Sequence, residues 1–370
     1  MQIPANRLDR VYRQHQAEYE RKALEVLRSG YYILGEETAR FEQAFADYLG
    51  GGFVVGVGCG LDALTISMHL LGIGCGDEVI VQGNTFIAAV LAIIHNGATP
   101  VFAEPDDGFC LSPESIERKI TPKTKAVIVT HLYGMVTPME PILSLCRSRR
   151  LMVIEDAAQA HGAEYRGQKA GTFGDAGCFS FYPTKNLGAF GDAGAVFVRD
   201  PALAEAIRTY RNYGSEKRYH NAMTGVNSRL DEMQAGFLNV RLRHLEELTQ
   251  QKAAAAAYYS RYIANPLITL PVPAPETACV WHQYVIRCDT RDDLAAWLLT
   301  KGIHTDIHYP VPPHLTEACR FLQMKRGDLP VTERLTDTVL SLPLFFGITK
   351  EEQDAVILAL NDYRPDKSEE

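Results

Sequence analysis

Apolar positions recur along the chain in two rhythms. Residues 36–49 place Phe41, Phe45, Tyr48 and Leu49 at helical spacing and end at Gly50, Gly51 and Gly52. Glycine takes the left-handed conformation that closes a helix, so this pattern predicts a helix with its stop signal. Short runs rich in Val and Ile follow at 53–57, 78–81, 126–130, 151–154, 178–181 and 195–198. Helical patterns at 62–71, 86–96 and 138–149 separate several of them. Apolar strands alternating with helices predict a mainly parallel sheet covered on both faces.

The rhythm changes at Ser228. Leu230, Met233, Phe237, Leu242, Leu245 and Leu248 form a stripe that runs on into the alanines at 253–257, predicting a long helix that leads out of the α/β domain. Beyond the proline-rich stretch 270–275, strand patterns at 280–287 and 303–309 flank a helical pattern at 292–301. A capping box, Thr349 with Glu352, opens the last helix before Ala355, Val356, Leu358 and Leu360. The expected organisation is a large α/β domain over 1–245, with an N-terminal helical arm, and a smaller α+β domain over 246–370. Residues 364–370 read as a frayed tail.

Charge and composition narrow the function. Lys and Arg number 37 against 45 Asp and Glu, so 37 − 45 = −8, which argues against a nucleic acid partner held by bulk electrostatics. The longest apolar run, 88–94, is too short to cross a bilayer, and the polar N-terminus lacks a secretory core, so a cytoplasmic protein without a membrane partner is expected. Eight cysteines without a Cys-x-x-Cys pair predict reduced thiols and no thiolate zinc site.

Three stretches carry candidate chemistry. In 53–64 a strand runs through Gly56, Gly58 and Gly60 into a helix, whose first amides, at Gly60, Leu61 and Asp62, suit a phosphate. The spacing matches neither a dinucleotide fingerprint nor a P-loop, and taken alone a plain strand-to-helix turn explains it equally well. Asp156 and Gln159 stand just past an apolar strand, where ligands bind in open α/β sheets, although an acid there also serves as a helix cap. Lys185 lies in a loop between apolar strands among aromatic residues and glycines, which suits a desolvated lysine for Schiff-base chemistry; for a single lysine a surface charge is the ordinary reading. Period-two alternation would put His304, Asp306 and His308 on one strand face, but three ligands from one flat strand do not converge on an ion, so no metal is expected.

Jointly, with Ser180 just upstream of Lys185, these motifs resemble the fold-type I, aspartate aminotransferase-like pyridoxal phosphate enzymes. Among them the chain is similar to the DegT/DnrJ/EryC1/StrS sugar aminotransferases. The resemblance covers 56–64, 77–88 with Asn84-Thr85-Phe86, 154–161, 174–194, 225–234 and the C-terminal part. It implies a seven-stranded-type sheet and pyridoxal 5'-phosphate as cofactor. By the same resemblance Lys185 joins the cofactor covalently, Asp156 pairs with its pyridine nitrogen and Gln159 reaches its ring hydroxyl. Ser180 with the Gly60 and Leu61 amides would bind the phosphate, and Phe86 would stack on the ring. Asn227 matches the asparagine that completes the phosphate site of a neighbouring subunit, which implies a homodimer with shared active sites. Tyr182, His220, His308, Tyr309 and His314 would border the sugar nucleotide.

The chain departs from many members at Cys59-Gly60-Leu61, where they have Asn-Gly-Thr. Its Gly-Leu-Asp-Ala-Leu form, with 211–215 and Tyr219-His220-Asn221 ahead of 227–231, is similar to aminotransferases acting at C3 of dTDP-linked 3-keto-6-deoxyhexoses. Glutamate as amino donor is implied by the family. The C4 aminotransferases are the nearest alternative. A non-catalytic relative predicts erosion of Asp156, Gln159 or Lys185, and all three are intact.

Overall fold

The computed structural model describes residues 1–365, so most of the expected tail, 366–370, lies outside the described residues. In chain order the strands are β1 (Phe53–Val57), β2 (Glu78–Gln82), β3 (Thr99–Ala103), β4 (Thr124–Thr130), β5 (Met152–Asp156), β6 (Glu164–Tyr165), β7 (Gln168–Lys169), β8 (Ala176–Ser180) and β9 (Gly194–Val198). They continue as β10 (Ser215–Lys217), β11 (His220–Asn221), β12 (Thr277–Ala278), β13 (Tyr284–Arg287) and β14 (Val339–Leu342). A seven-stranded sheet has the order β1-β9-β8-β5-β4-β2-β3. The five strands β3, β2, β4, β5 and β8 are parallel, and β9 runs antiparallel to both of its neighbours, β8 and β1. The C-terminal ends of β1, β4, β5 and β8 therefore lie along one edge.

Burial explains why these runs are almost uniformly apolar. Helices Gly60–Leu70, Ile87–His95 and Pro201–Tyr210 cover one face of the sheet. Pro113–Lys119 and Met139–Arg149 cover the other, so strands buried twice need no polar alternation. The helix expected at 36–49 spans Glu36–Tyr48, and Gly50, Gly51 and Gly52 after it take φ of 92°, 103° and 96°. Strand β3 was not expected. It contains Pro100, a residue confined to positions such as this sheet edge, where its missing N–H breaks no ladder.

The C-terminal part departs further from its periodicity. The single long helix expected after Ser228 is two, Glu232–Arg243 and Leu245–Tyr262, separated at His244. The strand expected over 280–287 is paired only along β13, against β14. Residues 303–309 form no ladder at all. Ile303 makes an isolated bridge to Ile3 and Asp306 one to Ser341, so alternation there reflects two different neighbours and not one strand. A separate apolar cluster gathers Ile3 with Ala256, Tyr259, Tyr284, Leu298, Leu340 and Leu360. The capping box at Thr349 and Glu352 is formed in both directions. Among the described residues all eight cysteines are free, and no helix is long and apolar enough to cross a membrane.

Candidate active site

Strand ends, the first turn of the helix after β1 and residues 282–283 and 308–309 enclose a cavity of about 480 Å³. At one end, the turn Cys59-Gly60 lies directly on the ends of β8 and β9. A Cβ on Gly60 would stand 2.6 Å from Ser180 Cβ, and one on Gly194 would stand 2.4 Å from the carbonyl of Cys59. Only glycine permits this approach, which brings the helix amides and the Ser180 hydroxyl to one point. Cys59 occupies the helix cap, its Sγ accepting from Asp62 N at 3.4 Å, a weak substitute for the usual oxygen. Asp62 is held in turn by Ser228, whose hydroxyl donates to Oδ2 at 2.6 Å and accepts from Gly58 N at 2.9 Å.

Asp156, the last residue of β5, lines the same cavity and is buried to 5 % exposure. Its Oδ1 accepts from Ala158 N at 3.1 Å. Burial pushes its carboxyl pKa up, while the Ala158 amide, Lys185 and His131 oppose that rise. The preceding residue, Glu155, is wholly buried and locks the strand end. It accepts from the amides of Gly171, Phe173 and Gly174 at 2.7, 2.6 and 2.8 Å and contacts His131 Nε2 at 2.8 Å. Since Thr137 N donates to His131 Nδ1, the ring proton is on Nε2 and points at Glu155.

Lys185 faces the same cavity from the loop after β8. Burial lowers its pKa to about 8, with Asp156 pulling the other way. Gln159 spans the cavity floor: its Oε1 accepts from Tyr133 N at 2.7 Å and its Nε2 donates to Tyr309 Oη at 3.1 Å. The Phe86 and Tyr309 rings lie 5.1 Å apart at an angle of 37°. His308 is fixed by Ser341 Oγ at 2.8 Å from Nδ1, and burial lowers its pKa. Tyr182 lines the mouth and is 52 % exposed.

The cavity thus brings together Gly60, Leu61, Phe86, Asp156, Gln159, Ser180, Tyr182, Lys185, His308 and Tyr309. Three expected residues are elsewhere in the chain. His314, expected beside the sugar, is instead a core residue at 1 % exposure, its Nε2 3.1 Å from Glu333 and its ring against Phe102. His220 lies on the exposed β10–β11 ribbon, and Asn227 is exposed and bridged to Asn212, both outside this cavity. His304, read with His308 as one strand face, instead pairs with Gln2.

Sequence reasoning missed His282 and Gln283, which also line the cavity. Their signal was a polar pair interrupting the apolar run that starts at Val280. His282 is 6 % exposed, and burial first, then Lys185, keeps its imidazole uncharged. The residues present fit pyridoxal phosphate: a glycine cradle with helix amides, a buried carboxyl and a lysine of depressed pKa line one cavity.

Known proteins agree with that fit. The chain is 46% identical over 362 residues, 98% of its length and 99% of the relative's, to dTDP-3-amino-3,6-dideoxy-alpha-D-galactopyranose transaminase of Aneurinibacillus thermoaerophilus. It is 45% identical over 363 residues, 98% of this chain and 96% of the relative, to dTDP-3-amino-3,4,6-trideoxy-alpha-D-glucose transaminase of Streptomyces venezuelae. The crystal structure of Streptomyces venezuelae DesV in complex with a ketimine intermediate superposes with a TM-score of 0.96 at 45% identity, covering 97% of this chain and 98% of that one. The model of the DegT/DnrJ/EryC1/StrS aminotransferase family matches residues 13–361. With the glycine cradle, the buried acid and the lysine in one cavity, the chain belongs to the DegT/DnrJ/EryC1/StrS aminotransferase family of pyridoxal phosphate-dependent enzymes.

Proposed function

We propose that this aminotransferase moves an amino group from L-glutamate to C3 of a dTDP-linked 3-keto-6-deoxyhexose, giving the dTDP-3-amino-3,6-dideoxyhexose. The observation that carries the reading is that Lys185 and Asp156 face one buried cavity beside the Gly60 turn. The position of the amine is supported by the two relatives, whose names both place it at carbon 3.

Bound in this cavity, pyridoxal phosphate supplies an electron sink for breaking a Cα–H bond of the donor. The chain supplies the rest. Asp156 would pair with the pyridine nitrogen and favour its protonated form. Ser180 Oγ and the amides of Gly60 and Leu61 would hold the phosphate. Gln159, oriented by Tyr133 N, would meet the ring hydroxyl, and Phe86 would cover the ring face. Lys185 would hold the cofactor, and its amine, with a pKa of about 8, would take and return a proton at Nζ close to physiological pH. Neutral His308 and Tyr309, with Tyr182 at the mouth, border the sugar.

The working molecule is a cytoplasmic homodimer. Exposed Tyr31, Tyr32, Ile33, Phe86, Tyr182 and Phe190 offer apolar surface to a second copy, and exposed Asn227 and His220 complete the partner's cavity. Purified protein is expected to be yellow and to retain cofactor at Lys185 after borohydride reduction, and Lys185→Ala to lose both that adduct and transamination. Supplying dTDP-3-keto and dTDP-4-keto hexoses with glutamate and locating the new amine by NMR tests the acceptor. Amination at C4 alone refutes the proposed substrate and leaves the cofactor chemistry standing.

A further inference from the structure

Behind the wall of the cavity that carries Lys185 lie two basic side chains with no carboxylate beside them, and burial first, then Arg241 and Lys185, lowers the pKa of the Lys252 amine to about 7. Arg241 is 2 % exposed and Lys252 3 %, and among the described residues neither forms an ion pair with a carboxylate. Burying a charge is costly unless its donors are answered, and here backbone and amide oxygens answer them. Arg241 donates through Nε to Asn186 O at 3.1 Å, through Nη1 to Gly188 O at 3.0 Å and through Nη2 to Lys185 O at 3.3 Å. Lys252 Nζ donates to Asn186 Oδ1 at 3.1 Å and to His282 O at 3.0 Å.

Both charges also lie over the ring of Phe346, 5.3 Å and 4.9 Å from its centre. Asn186 passes the link onward, its Nδ2 donating to Val280 O at 2.8 Å. Every acceptor thus belongs either to the turn that presents Lys185 or to the segment that delivers His282 and Gln283 to the cavity. The turn has no slack, since a Cβ on Gly188 would stand 2.6 Å from Pro183 O.

We propose that Arg241 and Lys252 are positioning residues for Lys185: Arg241 fixes the main chain bearing the reactive amine, and Lys252 ties that turn, through Asn186, to the segment carrying His282. The inference rests on Lys185 being the cofactor-bearing lysine. Burial lowers the pKa of the Lys185 amine and Asp156 opposes that, while Lys185 in turn acts on His161, His282, His308 and Lys252; Asp192 also lines the cavity.

Two substitutions in the full-length, cofactor-loaded enzyme test the two contacts. Lys252→Met keeps the stem and removes the donor; Arg241→Lys keeps a donor but cannot reach three carbonyls at once. Lys252→Met is expected to lower kcat about threefold with the KM for the nucleotide sugar within about twofold, and Lys252→Arg to restore kcat. Arg241→Lys is expected to lower kcat about tenfold, with the KM for the nucleotide sugar again within about twofold. If Arg241→Lys does not fold, the Lys252 pair decides alone. Folded variants with parental kcat overturn the proposal. If borohydride attaches no cofactor to Lys185 in the parent enzyme, the reading of the site falls and takes this inference with it; an adduct at Lys185 beside unaffected variants removes the inference alone.

Discussion

The floor of the cavity, from Gly60 across Ser180 to Asp156, is built from strand ends. Its expected rim, with Tyr182, His220 and Asn227, is built from exposed loops and a two-stranded ribbon. At the floor the strand ends are held by buried neighbours: Glu155 alone takes four contacts to fix the end of β5. At the rim Tyr219 is 83 % exposed, and Asn227 is exposed and bridged to Asn212. Chemistry common to a family sits where the sheet imposes geometry, whereas recognition of a particular sugar sits where loops can vary. The floor should therefore fail sharply on substitution, and the rim should fail gradually and depend on a second subunit.

The largest effect is expected from Asp156→Asn, which keeps shape and removes charge: kcat should fall by about 10²–10³-fold while the melting temperature holds or rises, because a buried charge has been removed. Rapid-mix single-turnover kinetics check this, and a fall below tenfold would show that the acid is not electrostatically engaged. Next, Gly194→Ala forces a Cβ to 2.4 Å from the Cys59 backbone and should cost about 1–3 kcal/mol in denaturant unfolding, with weaker cofactor retention. Gly74→Ala, whose Cβ would meet only Asn96 O at 3.6 Å, is the control and should be nearly silent.

The third concerns acid stability. His161, in contact with Phe179 and Phe181, has its pKa held down to about 3 by burial first and by Lys185 second. The unfolded chain binds this proton below about 6.5 and the folded chain does not until about 3, so stability is lost as pH falls through that window. At pH 5 the loss from this group alone is about 2 kcal/mol. His161→Met should recover most of it, read as urea midpoints at pH 7 and pH 5; equal losses in both proteins would contradict the assignment.

The smallest effect belongs to the rim. Asn227→Ala should weaken cofactor binding by about 1 kcal/mol, roughly fivefold. Mixed dimers of Asn227→Ala with Lys185→Ala subunits contain one site with both residues intact, and that site should bind cofactor with parental affinity. If mixing restores nothing, Asn227 does not act across the interface.

Much of the floor was legible in the sequence because its requirements are local. Gly60 and Asp156 lie at ends of apolar strands, and Lys185 sits among aromatic residues and glycines in a short loop. His282 and Gln283 were missed because their placement depends on a distant partner, the Lys252 amine that holds the His282 carbonyl. His314 misled for a related reason: a histidine in a proline-rich loop looks exposed, and only the packing of Glu333 and Phe102 around it makes it part of the core. Residues 303–309 show the limit of periodicity, since alternation can arise from Ile3 on one side and Ser341 on the other without any ladder. His244 splits a stripe that reads as one helix, and no residue type there announces the break.

Gly60 lies against Ser180, and Gly194 against the Cys59 carbonyl and the Gly60 amide. Neither can drift to alanine while those neighbours keep their places, so the two can be exchanged only by rebuilding the whole corner at once. Libraries meant to broaden sugar scope should leave those two codons untouched and spend their diversity on the exposed positions 216–220 of the ribbon, where a new side chain chiefly meets solvent or a neighbouring subunit.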